Sequence, residues 1–304
     1  MTVTVDHLLH PPHCSSPLPA FSSSTRSLRS QISCSSSLVA QMDPYNNEGR
    51  TKFKAFPYVS TPHKNLMVDL VSTVENRLDS KLLPCTLPPD VQYYQNQTVN
   101  QIDFILGSWI HCELPTGGAL NITSLSAYMN PSTDAPNFLF ELIQSSPTSL
   151  ILILDLPPRN DLVLSPDYLC TFYEDTQLDR HRQTLEKIPE VRPYVSSSLY
   201  IRSLVSPTAI TVCIETEANG QGQMEEVIKD HIDPIAKEVL GIWLDQCACG
   251  QREVGETERG YLEKRDGLVK SKTIEIDLGS SLPRLFGPEV AERVLGSVRE
   301  FFTA

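Results

Sequence analysis

Apolar residues recur at helical spacing from Leu66 to Leu78, with Leu66, Met67, Leu70, Val71, Val74 and Leu78 on one face. Thr61-Pro62 offers an N-cap followed by a proline at the first helical position, and Pro84 sets the far limit, so an amphipathic helix is predicted here. Four apolar segments follow: Asp103 to Leu114, Leu120 to Met129, Asn137 to Gln144 and Ser149 to Asp155. The turns between them are far too short for the crossover that parallel neighbours require, so the sheet is predicted to be largely antiparallel. Ser165 to Lys187 reads as helical, and Leu199 to Leu204 and Ala209 to Glu215 read as strands. From Met224 to Trp243 the period is helical again, with a predicted break at Asp233-Pro234, and a last helix follows Pro288. Strands apolar on both faces, with helices before and after them, predict an α/β protein: a three-layer α/β/α sandwich around a central, largely antiparallel sheet. Residues 42–304 read as a single domain with C-terminal helices and no internal repeat.

Residues 1–41 have a different character. They hold runs of serine, Arg26 and Arg29 but only one acid, Asp6, and no continuous apolar core. That composition predicts a disordered organellar transit peptide, and the uncharged Met1-Thr-Val-Thr-Val start favours the plastid. The sequons at Asn96 and Asn121 are then expected to be incidental. The whole chain of 304 residues carries a formal charge of −12, which argues against nucleic acid or an anionic membrane as a partner. No stretch approaches the roughly 18 uninterrupted apolar residues of a spanning helix. The eight cysteines (14, 34, 85, 112, 170, 213, 247 and 249) form no CxxC pair and are expected to be reduced.

Familiar cofactor signatures are missing. Gly220-Gln-Gly222 begins like a dinucleotide fingerprint but has Glu225 where the third glycine belongs, and neither a P-loop nor GxSxG occurs. Isolated acids remain. In Asn137-Phe-Leu-Phe-Glu-Leu-Ile-Gln144 the period-2 rule places Glu141 with Leu139 and Ile143 on an apolar face. A carboxyl desolvated there would hold its proton toward neutrality, as a general acid must; an open edge or an arginine partner is the alternative. Asp277 in Thr273-Ile-Glu-Ile-Asp-Leu278 alternates with apolar residues, a pattern that equally describes a solvated strand face. Asp155 reads as the end of a strand before a turn, and His63, His111, His181 and His231 as structural. Tyr194-Val-Ser-Ser-Ser198 is expected to join a helix to a strand and could bind an anion through N–H groups and hydroxyls. Arg180, Arg182, Lys187, Arg192 and Arg202 outnumber Glu186 and Glu190, leaving a net +3 suited to an acidic partner or to a solvated face.

Longer strings go further. Phe56-Pro-Tyr-Val-Ser-Thr-Pro-His63, Leu66-Met-Val-Asp-Leu-Val-Ser-Thr-Val-Glu-Asn-Arg-Leu78, Gly107-Ser-Trp-Ile-His-Cys112, Ala135-Pro-Asn-Phe138, Glu141-Leu-Ile-Gln-Ser-Ser146 and Ser206-Pro-Thr208 closely resemble the red chlorophyll catabolite reductases, from about Phe56 to the C-terminal helix. The resemblance implies a relative of the ferredoxin-dependent bilin reductases: an α/β/α sandwich, dimeric, with no bound flavin, haem or metal. It implies reduction of a methine double bond of red chlorophyll catabolite to give the primary fluorescent catabolite, with electrons from reduced ferredoxin. It assigns proton delivery to an acidic pair that falls on Glu141 and Asp277, substrate contact to Tyr194, Val195 and Ser196, and the choice of protonated face to Val205. It also implies a chloroplast stromal location, with a second, mitochondrial one left open, and association with other enzymes of chlorophyll breakdown. Two rival functions stay open from sequence: a noncatalytic tetrapyrrole-binding protein that sequesters pigment, and a reductase of another open-chain bilin.

Overall fold

The computed structural model describes residues 55–78, 91–95, 101–113, 118–217, 219–250 and 252–303. The leader-like segment 1–41 and Cys14, Cys34, Cys85 and Asn96 lie outside the described residues. Helix α1 (Thr61–Leu78) precedes five strands, β1 (Val91–Gln95), β2 (Ile102–Glu113), β3 (Ala119–Met129), β4 (Phe138–Ser146) and β5 (Ser149–Asp155). Short helices α2 (Pro166–Leu169, widening into a π turn at Cys170–Glu174) and α3 (Asp179–Leu185) lead to β6 (Val191–Pro193), α4 (Leu199–Leu204) and β7 (Ile210–Glu215). Then come α5 (Gln221–Val227), α6 (Asp233–Trp243), α7 (Glu256–Lys272), a π turn at Thr273–Leu278, and α8 (Gly279–Thr303). The strands form one antiparallel sheet in the order β1-β2-β3-β4-β5-β7-β6.

The two faces are covered differently. Phe140 and Leu142 of β4 and Leu150, Leu152 and Leu154 of β5 point to one side, where α1, α5 and α6 complete the main core around Trp243. The α1 residues predicted to face inward are all buried. Alternate residues point to the other side. There Phe104 and Tyr128 pack against Leu295, Val298 and Phe302 of α8, and Leu139, Ile143, Ile151 and Ile153 form a separate cluster against Tyr194. This is the predicted three-layer sandwich.

Three local predictions give way. Leu199–Leu204 is a helix rather than a strand: the Ser198 side chain accepts the Ile201 N–H at 3.3 Å, and Ile201 and Leu204, three apart, are the buried pair. Thr273–Leu278 is also helical rather than extended, so its apolar alternation does not describe a sheet face. No restart occurs at Asp233-Pro234. A π turn at Ile228–Ile232 runs straight into α6, and its wider winding makes room for the Pro234 ring that would clash with a carbonyl in a regular α-helix.

The aromatic segment before α1 has a structural role. Phe56 meets Trp109 edge-on, and Tyr58 stacks on His111 at 3.7 Å. His111 bonds the buried Asn121 at 2.7 Å, and the buried His63 bonds Thr123 at 2.7 Å, with burial lowering its pKa to about 4. His181 lies 3.6 Å from Glu238. The described cysteines, 112, 170, 213, 247 and 249, are free.

Candidate active site

Sheet register assembles the centre of the site. On the face turned toward α8, Ser108 of β2, Ser124 of β3, Glu141 of β4 and Ile153 of β5 are successive cross-strand partners. Glu141 is 0% exposed between Leu139 and Ile143, on the apolar face the period-2 rule placed it on. Ser108 and Ser124 share a hydrogen bond at 2.7 Å, and Ser126 donates to the Leu106 carbonyl at 3.4 Å. A strip of hydroxyls ending in a carboxyl therefore crosses an otherwise apolar surface. Such a strip can orient a polar ring edge and hold a proton, while the surrounding aliphatic side chains keep water away.

The serines of this strip floor a cleft, whose lining stops short of Glu141. Ser108, Ser124, Ser126 and Leu139 line it from the sheet, and Thr273, Leu278, Leu282 and Val298 close it from above. Asp277 belongs to the π turn that forms part of this roof, while its side chain lies outside the described residues. The cavity volume is about 40 Å³, enough for a few water molecules and far below the several hundred Å³ of a typical ligand pocket. At Gly287 the roof helix α8 breaks, with φ +77° and ψ 163°, immediately before Pro288. Glycine adopts that left-handed conformation without steric penalty, so the two parts of α8 meet at a joint.

Tyr194, Val195 and Ser196 join β6 to α4, so the segment leads from a strand into a helix, the reverse of the predicted order. The Tyr194 N–H bonds the Thr211 carbonyl at 2.8 Å, and its ring packs on the apolar cluster that flanks Glu141. Ser196 is buried and its hydroxyl accepts the Ser198 N–H at 3.2 Å, whereas Val195 is 62% exposed. Val205, half-buried, ends α4 in extended conformation. The structure thus places Tyr194 on the face that carries Glu141 but leaves Val195 facing solvent.

The basic residues are spread over several elements: Arg180 and Arg182 on α3, Lys187 after it, Arg192 on β6 and Arg202 on α4. Arg182 is held by Asp179 at 2.8 Å and Glu186 at 2.9 Å, and Asp179 lowers the local sum to +2 (five cations less Asp179, Glu186 and Glu190). Lys187, Arg192 and Arg202 are exposed.

Sequence reasoning passed over two features. Ser124 and Ser126, two apart in an apolar strand, carried a period-2 signal for a polar strip on one face. Asp155 is no mere strand end: it is buried, it accepts Ser206 N–H at 2.9 Å and Ser206 O–H at 2.5 Å, and burial raises its pKa to about 6 against the pull of those bonds.

Residues 62–300 match the family model for red chlorophyll catabolite reductase (RCC reductase). The chain is 52% identical over 278 residues to the chloroplastic red chlorophyll catabolite reductase of Arabidopsis thaliana, covering 86% of each protein. It is 43% identical over 260 residues to the chloroplastic red chlorophyll catabolite reductase 1 of Oryza sativa subsp. japonica, covering 80% of this chain and 79% of that one. Among solved structures, tomato phytochromobilin synthase in complex with biliverdin shares the fold with a TM-score of 0.53 at 16% identity, over 79% of this chain and 84% of the other.

Proposed function

Because the chain belongs to the red chlorophyll catabolite reductase family, we propose that Glu141 delivers a proton to the substrate on the sheet face that carries Ser108 and Ser124. The protein is an oxidoreductase of chlorophyll breakdown that acts on a linear tetrapyrrole, red chlorophyll catabolite, and its location is the chloroplast. In this reading the reaction takes place in the stroma, where the protein would meet reduced ferredoxin.

Reducing a methine double bond to give the primary fluorescent catabolite adds two electrons and two protons. In this reading two molecules of reduced ferredoxin each give one electron, the conjugated pigment carries the intermediate radical, and no cofactor bound to the chain is needed. The chain then supplies orientation, exclusion of water and protons. What supports Glu141 is its placement: a carboxyl withdrawn from solvent, at the end of a hydroxyl strip and next to a cleft-lining serine. Asp277, on the roof segment, is the second proton donor; Tyr194, Ser196 and Val205 border the pigment, and Val195 reaches it from the solvent side.

Glu141→Gln keeps size and hydrogen bonding while removing the acid. Pigment should still bind, and turnover should fall at least 100-fold, within the range contributed by general acids. Retained turnover would remove Glu141 from the mechanism. Arg180, Lys187, Arg192 and Arg202, the exposed cations of this set, form the ferredoxin-facing surface, so Arg192→Glu should raise the apparent KM for ferredoxin at low salt; an unchanged value would place docking elsewhere.

A further inference from the structure

Asp155 closes β5 opposite Leu139, so its side chain shares the sheet face of Leu139, Glu141 and Ile153. It is 3% exposed. Both of its oxygens accept from Ser206, Oδ2 from the N–H at 2.9 Å and Oδ1 from the hydroxyl at 2.5 Å, beside a further bond from the Leu156 N–H. Ser206 is in turn tied to Thr208, whose N–H donates to the Ser206 hydroxyl oxygen at 3.2 Å. The carboxyl therefore pins the short link between α4 and β7, and the residue immediately before the pinned serine is Val205, at φ −77° and ψ 149°.

A turn alone does not require a carboxyl there. Burying one is costly, and a strand can end with a serine or asparagine at less expense. Only a carboxylate offers two strong acceptors to two donors of one residue, with charge-assisted bonds about twice as strong as neutral ones. The segment from Tyr194 to Ser206 is thereby held at both ends, by the Tyr194 N–H on Thr211 and by Ser206 on Asp155, and the Ser198 cap stiffens α4 between them. A segment fixed at two points presents its side chains at fixed distances from the sheet.

We propose that Asp155 is a positioning residue of the substrate site, which through Ser206 sets where Val205 stands and so which face of the pigment receives the proton. This rests on the reading that Val205 borders the substrate. An asparagine at 155 keeps one acceptor and turns an amide N–H₂ toward a donor, so the Ser206 link loosens while Glu141 and its hydroxyl strip are untouched.

The test compares Asp155→Asn, Ser206→Ala, Ser206→Thr and Val205→Phe by the ratio of the two product epimers resolved by chromatography, together with kcat and KM. Asp155→Asn and Ser206→Ala should each move the epimer ratio at least fivefold toward unity and raise KM more than they lower kcat, and Ser206→Thr, which restores the hydroxyl, should restore the ratio. If Asp155→Asn does not fold, the Ser206 pair carries the test alone. A loss of melting temperature with an unchanged epimer ratio and KM would overturn the proposal and leave Asp155 a structural clamp. Should Val205→Phe leave the ratio unchanged, Val205 is not at the substrate and the proposal falls with that reading; a shift in Val205→Phe without one in the other variants defeats the proposal alone.

Discussion

Replacing Asp155 by asparagine should expose an acid sensitivity that the native protein conceals. Burial raises the Asp155 carboxyl from 3.8 to about 6 and lowers His63 from 6.5 to about 4. A raised acid contributes stability that is fully present below its unfolded value and is lost as pH rises through about 6; a lowered histidine contributes stability that is present above 6.5 and is lost as pH falls through about 4. At about 1.4 kcal/mol per tenfold change in proton affinity, each displacement amounts to about 3 kcal/mol. Between pH 4 and 6 the two slopes oppose each other and nearly cancel. Asp155→Asn removes the one that favours low pH, so its unfolding free energy should drop by about 2 kcal/mol more than the native protein's between pH 6 and pH 4, the part of the roughly 3 kcal/mol that falls in this window. His63→Gln should change the slope by a similar amount in the opposite sense. Urea titrations across this range read the slope directly, and the other ionising groups contribute equally to native protein and variant. The slope is the quantity to compare, because each substitution also breaks a hydrogen bond, to Ser206 or to Thr123, that shifts the whole curve. An Asp155→Asn slope equal to that of the native protein would refute the reasoning.

Two further outcomes follow from the C-terminal helices. Arg159 is 0% exposed and donates to Asp266 at 2.5 and 3.1 Å and to the Thr133 carbonyl at 2.6 Å, fixing α7 to the loops at the end of the sheet. Asp266→Ala strands that guanidinium and should cost about 3–5 kcal/mol in thermal unfolding, whereas Arg159→Met combined with Asp266→Leu should cost much less; equal losses in both would show that the charge pairing is not the source. With the substrate placed in this cleft as proposed, its volume is too small for a linear tetrapyrrole, and entry would require α8 beyond the Gly287 joint to move. Hydrogen exchange in residues 288–303 should therefore change on pigment binding while α1 stays constant, and identical exchange with and without pigment would contradict an opening at that joint.

The parts of this protein that were legible in its sequence are those set by local periodicity. Leu66 to Leu78 and the strands β2 to β5 bury long apolar faces, and their period survives any single exception. The burial of Glu141 on the apolar face of β4 was legible in the same way. Leu199 to Leu204 was too short to distinguish a period of 2 from one of 3.6; the Ser198 cap, a local signal, decided it. The alternation at Thr273–Leu278 was fortuitous in a helical turn. Contacts made across the sheet or through the end of a strand left little trace: Ser108 meets Ser124 by register, and Asp155 meets Ser206 across 51 residues. The edge strands β1 and β6, five and three residues long, are too short to impose a pattern.

The most direct measurement is an anaerobic incubation of the purified protein with reduced ferredoxin and red chlorophyll catabolite, followed by blue fluorescence. The account predicts fluorescent product only when protein and ferredoxin are both present, and its loss in Glu141→Gln with pigment still bound. Tight pigment binding by the native protein without any fluorescent product would contradict it, and would leave a protein that sequesters the pigment rather than reducing it.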